Sequence, residues 1–320
     1  MKLNRFAAYA WGVLVYTLFV IMWGAYVRAT GSGAGCGNHW PTCGGTVIPR
    51  APQIETQIEF THRLSSSLAG VLVIILLVWA FLAYPKGHIV RRGAGWSFAF
   101  IIIEGLLGAA LVRFELVAGN ASMLRALVIS GHLVNTFILL ACLALTAWWA
   151  SGGRPVRWRG QGSQSWILGV GLLAVILLGA TGAITALGDT LFPDVSVAEG
   201  LRQDFDPTVS FLKRLRIIHP ALAMLTGLYI VFIGSVFRAA EHLIPTRRLA
   251  NGLIGLFFLQ LGVGVVNVLL LAPIWMQMIH LLLADLVWIG LLLLAASVMS
   301  VEVVPVEGRL ADDVLPVPGN

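Results

Sequence analysis

Eight apolar stretches, each long enough to cross a bilayer, constrain this chain more than any other feature. They run over Phe6–Val27, Leu64–Tyr84, Ala94–Arg113, Leu124–Ala150, Trp166–Leu187, Ile217–Phe237, Leu249–Leu271 and Ile274–Met299. A span needs about 20 mostly apolar residues. In hydrocarbon the backbone must satisfy its own hydrogen bonds, so spans of this kind are helices. Of 320 residues, 58% are hydrophobic and 11% charged. A water-soluble domain so composed would expose large apolar patches and aggregate. Little more than Pro273 separates the last two stretches, which predicts a tight helical hairpin.

The net charge of +6 does not point to nucleic acid, because the basic residues are not gathered in one patch. Lys2 and Arg5 precede the first span. Lys86, Arg91 and Arg92 follow the second, Arg154, Arg157 and Arg159 the fourth, and Arg238, Arg247 and Arg248 the sixth. Cations that mark alternate connections follow the positive-inside rule. Both termini are then expected in the cytoplasm, and the long connections after spans one and five outside. The first stretch is too long for a cleavable signal peptide and lacks a clear cleavage site, and no transit segment is evident. A bacterial or archaeal plasma (inner) membrane is the expected location.

The chain repeats itself. Ala29-Thr30-Gly31 and Ala186-Leu187-Gly188 read as short turns after spans one and five. At the same offset His62 falls on His219, Leu68 on Leu225 and Gly70 on Gly227. One residue off this register, Glu104 falls on Gln260 and Gly108 on Gly264. His132 then corresponds to His280. Four spans return the chain to its starting side, so the two halves are read as parallel repeats. The expected fold class is all-α: a polytopic membrane protein whose eight transmembrane helices form two parallel-related four-helix-bundle repeats. The expected division is residues 1–160, 161–300, and a polar cytoplasmic tail over 301–320.

Four of the seven histidines occupy repeated positions. His62 and His219 lie at the outer ends of spans two and six, His132 and His280 a few turns inside spans four and eight. One intramembrane histidine is as well explained by an interhelical hydrogen bond. Four in repeated places suit axial ligands of haem iron, one pair per half. A structural zinc would want four convergent ligands. His88 and His242 read as solvated loop residues, and His39 lies in the first outer loop. Haem propionates need cations, for which Arg28, Arg63, Arg125, Lys213, Arg214 and Arg216 are candidates. Interfacial snorkelling explains any one of them equally well.

Besides Glu104 against Gln260, the halves differ just before the first histidine of each pair. Glu59 stands three residues before His62, on one helical face, and its counterpart is Arg216. A carboxylate takes a proton or steadies a cationic intermediate. A cation suits a propionate. The first half is therefore expected to hold a substrate haem and the second a permanent haem for electron transfer. From spacing alone, a surface pair with Arg63 explains Glu59 better. Glu104, inside span three, reads as structural. Cys36 and Cys43, in an outer loop, favour a disulfide, which either ties the loop or exchanges thiols with a partner. Cys142 reads as an apolar filler.

These residues resemble the haem A synthase family over nearly the whole chain. The specific part is Val27-Arg28-Ala29-Thr30-Gly31-Ser32-Gly33, then Cys36, Trp40-Pro41, Cys43 and Glu59-x2-His62-Arg63. The resemblance implies oxidation of the C8 methyl of haem O to a formyl group, giving haem A for terminal oxidases. It implies haem b as cofactor, held by His219 and His280, with Arg216 beside it. It implies substrate haem near His62 and His132, with Arg63, and catalytic roles for Glu59 and His62. It also implies a Cys36–Cys43 disulfide. Expected partners are haem O, a haem O synthase, membrane lipid and a quinone or other membrane electron partner. A homo-oligomer stays open, and no nucleic acid is expected. The rival reading is a di-haem b electron carrier without substrate chemistry. Haem O synthase itself is set aside, because the chain shows no paired Asp-rich diphosphate motifs. The chain departs from the family pattern at Glu104, where glutamine is expected, and in an acidic connection over Gly188–Leu212.

Overall fold

The computed structural model describes residues 4–50, 52–240 and 244–300. Lys2, His242 and the 301–320 tail lie outside the described residues. Among the described residues ten α-helices follow one another: α1 (Arg5–Ala29), α2 (Ile54–Ala83), α3 (Ile89–Arg113), α4 (Met123–Ala150), α5 (Ser163–Leu191), α6 (Val197–Asp204), α7 (Phe211–Leu215), α8 (Ile218–Ala240), α9 (Ile244–Leu269) and α10 (Ile274–Val298). With α7 and α8 counted as one span, eight are long and apolar enough to cross a membrane. All eight apolar stretches are thus helical.

Three boundaries differ from expectation. α2 begins ten residues before Leu64, so Glu59 and His62 lie well inside a helix. Its polar first turns escaped a reading based on apolarity alone. Ala29-Thr30-Gly31 is a turn, with Gly31 at φ 70°, but Ala186-Leu187-Gly188 is helical, because α5 runs on to Leu191. Gly188 serves close approach instead: a Cβ there would lie 3.1 Å from the Leu212 carbonyl oxygen and 3.3 Å from the Arg216 stem. The acidic connection after α5 folds into α6 and α7, with Ser196 capping the first by accepting the Glu199 N–H. The α9–α10 hairpin is tight as expected. Leu271 and Ala272 both take positive φ, and Pro273 caps α10.

The helices close into two rings. α1 packs on α2, α2 on α3, α3 on α4, and α4 back on α1. α5 packs on α8, α8 on α9, α9 on α10, and α10 back on α5. Between the rings α4 meets α10, where the Phe137 and Trp288 rings stack 5.2 Å apart. Trp288 Nε1 also donates to the Phe137 carbonyl at 2.7 Å. α10 is the most buried of the spans, from Met276 to Val298. Small residues let helices approach where lipid gives no hydrophobic push: a Cβ on Gly171 would lie 2.5 Å from Ile233, and one on Gly234 as close to Ile254. Outward faces stay apolar, as at Leu228, which is 69% exposed.

Candidate haem-binding site

The structure brings His219 and His280 together. Their ring centroids are 6.4 Å apart and the rings stand at 86°. That gap leaves room for one metal between two imidazole nitrogens at about 2 Å each. His219 Nδ1 lies 3.2 Å from the Leu178 carbonyl and 3.3 Å from Thr181 Oγ1. Donation to that carbonyl fixes the tautomer and leaves Nε2 as the ligating atom. His280 Nε2 lies 3.3 Å from Gln260 Nε2, while His280 Nδ1 and Gln260 Oε1 are buried without partners among the described residues. A Cβ on Gly182 would sit 3.0 Å from His219 Cε1, and one on Gly264 the same distance from His280 Cε1. Each ring is thus cradled by a glycine of a neighbouring helix. Paired imidazoles, an oriented tautomer and orphaned buried polar atoms fit a bis-histidine haem.

The first ring carries His62 and His132 among different neighbours. His62 packs on Gly24, where a Cβ would come within 2.9 Å of its Cε1, and its Nδ1 is buried without a partner among the described residues. His132 faces Gly108, whose Cβ would lie 4.0 Å from Nε2. In the place corresponding to Gln260 stands Glu104, whose Oε1 is 3.2 Å from His132 Nδ1 without hydrogen-bond alignment. Glu104 also accepts from Asn135 Nδ2 at 2.6 Å and Thr136 Oγ1 at 2.5 Å. It does bond across helices, and it does so beside a candidate ligand.

Glu59 is 3% exposed. Its Oε2 accepts the Cys36 N–H at 2.8 Å, and its Oε1 accepts Arg63 Nε at 3.1 Å and Nη2 at 2.5 Å. The pair with Arg63 therefore forms, but buried rather than on the surface. Arg63 Nη1 donates to the His39 and Thr42 carbonyls, both at 2.7 Å. One carboxylate and one guanidinium so fasten the Cys36–Cys43 loop, whose disulfide is formed, onto the turn of α2 that carries His62.

Arg216 meets three carboxylates: Asp189 at 2.9 Å, Asp194 at 2.7 Å and Asp204 at 2.8 Å. Lys213 adds Asp194 at 2.6 Å and Gln203. Burial alone would raise the Asp194 carboxyl, but the hydrogen bonds and charges of Lys213 and Arg216 outweigh it and hold it below its ordinary value. This node pins α6 and α7 over the ring that carries His219. Arg28 donates to the Ala186 carbonyl, Thr190 Oγ1 and Gln277 Oε1, tying α1 to α5 and α10. Arg125 donates to the Ala118 and Asn120 carbonyls. Of the six cations considered for propionates, only exposed Arg214 has no partner among the described residues. His88 is no mere solvated residue: its Nδ1 accepts the Val90 N–H and its ring stacks on Tyr84.

Asp285 escaped the sequence reading. It lies fully buried in α10, and neither carboxyl oxygen has a partner among the described residues. An acid in a span was the signal available. No three His, Cys, Asp or Glu side chains among the described residues converge on a bare metal ion.

The family model described as "Cytochrome oxidase assembly protein" (COX15-CtaA) matches residues 7–292. Over 300 residues, 93% of this chain and 49% of the relative, the chain is 55% identical to a Thermus thermophilus protein named protoheme IX farnesyltransferase. A protein of the same name from a second strain of that organism matches equally. The chain spans about half the length of these relatives. It is 27% identical over 262 residues, 82% of each chain, to a heme A synthase of an Exiguobacterium species. It is 41% identical over 146 residues, 44% of this chain and 47% of the relative, to the heme A synthase of Alkalihalophilus pseudofirmus.

Proposed function

The chain belongs to the cytochrome oxidase assembly protein family, and from that premise we propose that it is a haem A synthase. It oxidises the C8 methyl of haem O to a formyl group, water supplying the oxygen as four electrons and four protons leave, and so gives haem A for terminal oxidases. The observation that carries this reading is the unequal pair of histidine sites. One ring sets buried Glu59 one helical turn from His62; the other gives the matching position to Arg216.

In this reading His62 and His132 bind the substrate haem. Glu59 stands fixed by Arg63 and the Cys36 N–H, where it takes a proton from the reacting methyl or steadies the charge that develops there. Arg63 holds Glu59 and the loop in place. His219 and His280 hold haem b, which supplies a one-electron relay when bound. Arg216 and Lys213 keep α6 and α7 packed over that site and exclude water. The carbonyl of Leu178 keeps the His219 proton on Nδ1.

Both termini lie in the cytoplasm of a cell with a plasma (inner) membrane, and both histidine sites lie toward its outer face. Support comes from Arg91, Arg92, Arg154, Arg157 and Arg159 at the opposite end of the bundle, and from the disulfide at the histidine end. A haem O synthase is the proposed supplier of substrate. The Thermus relatives carry the name of such an enzyme on chains about twice the length matched, which supports a close association of the two activities. A quinone or another membrane electron partner accepts the electrons.

The test is co-expression with a haem O source, followed by haem extraction and mass analysis. Haem A, or its hydroxylated precursor, is the expected product. Haem b with haem O untouched would favour the di-haem electron carrier.

A further inference from the structure

A groove of about 630 Å3 opens between α2 and α3 at the end of the bundle opposite the histidine sites. Its apolar walls include Phe81, Trp96 and Ala99, and the rings of Phe81 and Trp96 are half or more exposed. Lys86, Arg91 and Arg92 stand at its mouth. Arg91 is fixed there with its guanidinium 4.1 Å from the Phe81 ring centroid. Lys86 and Arg92 have no partner among the described residues. The connection from Tyr84 to Arg92 contains no Asp or Glu to neutralise them.

An occupant must therefore be anionic at one end and apolar at the other. It must also reach the level where a span leaves the hydrocarbon. Free phosphate satisfies only the first demand and a neutral lipid only the second. Basic pockets between transmembrane helices take acidic headgroups. We propose that this groove binds an anionic phospholipid, its phosphate between Lys86, Arg91 and Arg92 and its acyl chain along Trp96 and Ala99. Assignment to the inner leaflet rests on the orientation proposed above. Binding itself does not, so the two fail separately.

The experiment is native mass spectrometry of the full chain in detergent, titrated with phosphatidylglycerol or phosphatidylcholine. Phosphatidylglycerol is expected to form a one-lipid adduct and phosphatidylcholine a much weaker one. Lys86→Gln with Arg92→Gln should weaken the first by about 5-fold for each charge removed. Trp96→Ala should weaken it with all three charges kept. Melting of each variant without lipid controls for misfolding. Equal phosphatidylglycerol binding by the double variant would overturn the proposal. So would equal binding of the two lipids, or displacement of phosphatidylglycerol by millimolar inorganic phosphate.

Discussion

The two helix rings place imidazoles on the same supports and surround them with opposite chemistry. In one, His62 and His132 have Glu59 and Glu104 for neighbours; in the other, His219 and His280 have Arg216 and Gln260. The glycine cradles recur in both, at Gly24 and Gly108 and at Gly182 and Gly264. What is shared is burial and close helix approach at each ring. What differs is where the carboxylates point. In the first ring Glu104 lies 3.2 Å from His132 Nδ1, while Glu59, one turn before His62, is held by Arg63 and the Cys36 N–H. In the second the carboxylates turn away, onto Arg216 and Lys213, and lock the cap. In the proposed reading, a relay site and a reacting site share a frame and differ in the partners of their acids.

The comparison breaks most sharply at Glu59. Glu59→Gln should lower haem A formation about 100-fold or more while haem b content stays. Retained turnover would remove Glu59 from the chemistry. Arg216→Leu comes next, because it leaves three carboxylates facing one another. Losing one partner of a buried ion pair costs about 3–5 kcal/mol. Lower thermal stability and loss of haem b should follow, read by melting and by absorption of the purified protein.

Gly182→Ala sharpens the claim about cradles. Its methyl meets His219 at 3.0 Å, an overpacking worth about 1–3 kcal/mol. A displaced ring should shift the haem b spectrum, and an unchanged spectrum would make the cradle incidental. Glu104→Gln makes the first ring resemble the second. It should alter the substrate-haem spectrum and leave haem b alone.

The smallest effect is on pH. The Asp194 carboxyl sits below its ordinary value of about 3.9, so its contribution is complete above that value and is lost only as pH falls through the lower folded one. Stability of the cap should stay level from neutral pH to about 5, a range well above the ordinary aspartate value. Asp194→Asn should flatten the fall seen in acid.

The sequence is legible where lipid dictates the answer. Every apolar stretch is a helix, since hydrocarbon leaves the backbone few alternatives. The four histidines stood out because such residues are costly in spans. It is poorly legible where polar groups satisfy one another. The start of α2 is written in polar residues, and α6 and α7 hang on an ion-pair node whose members are spread from Asp189 to Arg216. No periodicity announces that Glu59 reaches the Cys36 N–H across 23 residues. The apolar context of span eight hid Asp285.

The central claim is that the two rings divide the labour, and pigment analysis of four single variants tests it most directly. His62→Ala and His132→Ala, purified after co-expression with a haem O source, should retain haem b and make no haem A. His219→Ala and His280→Ala should lose haem b itself. Haem b lost from the His62 and His132 variants, and kept by the other two, would contradict the account.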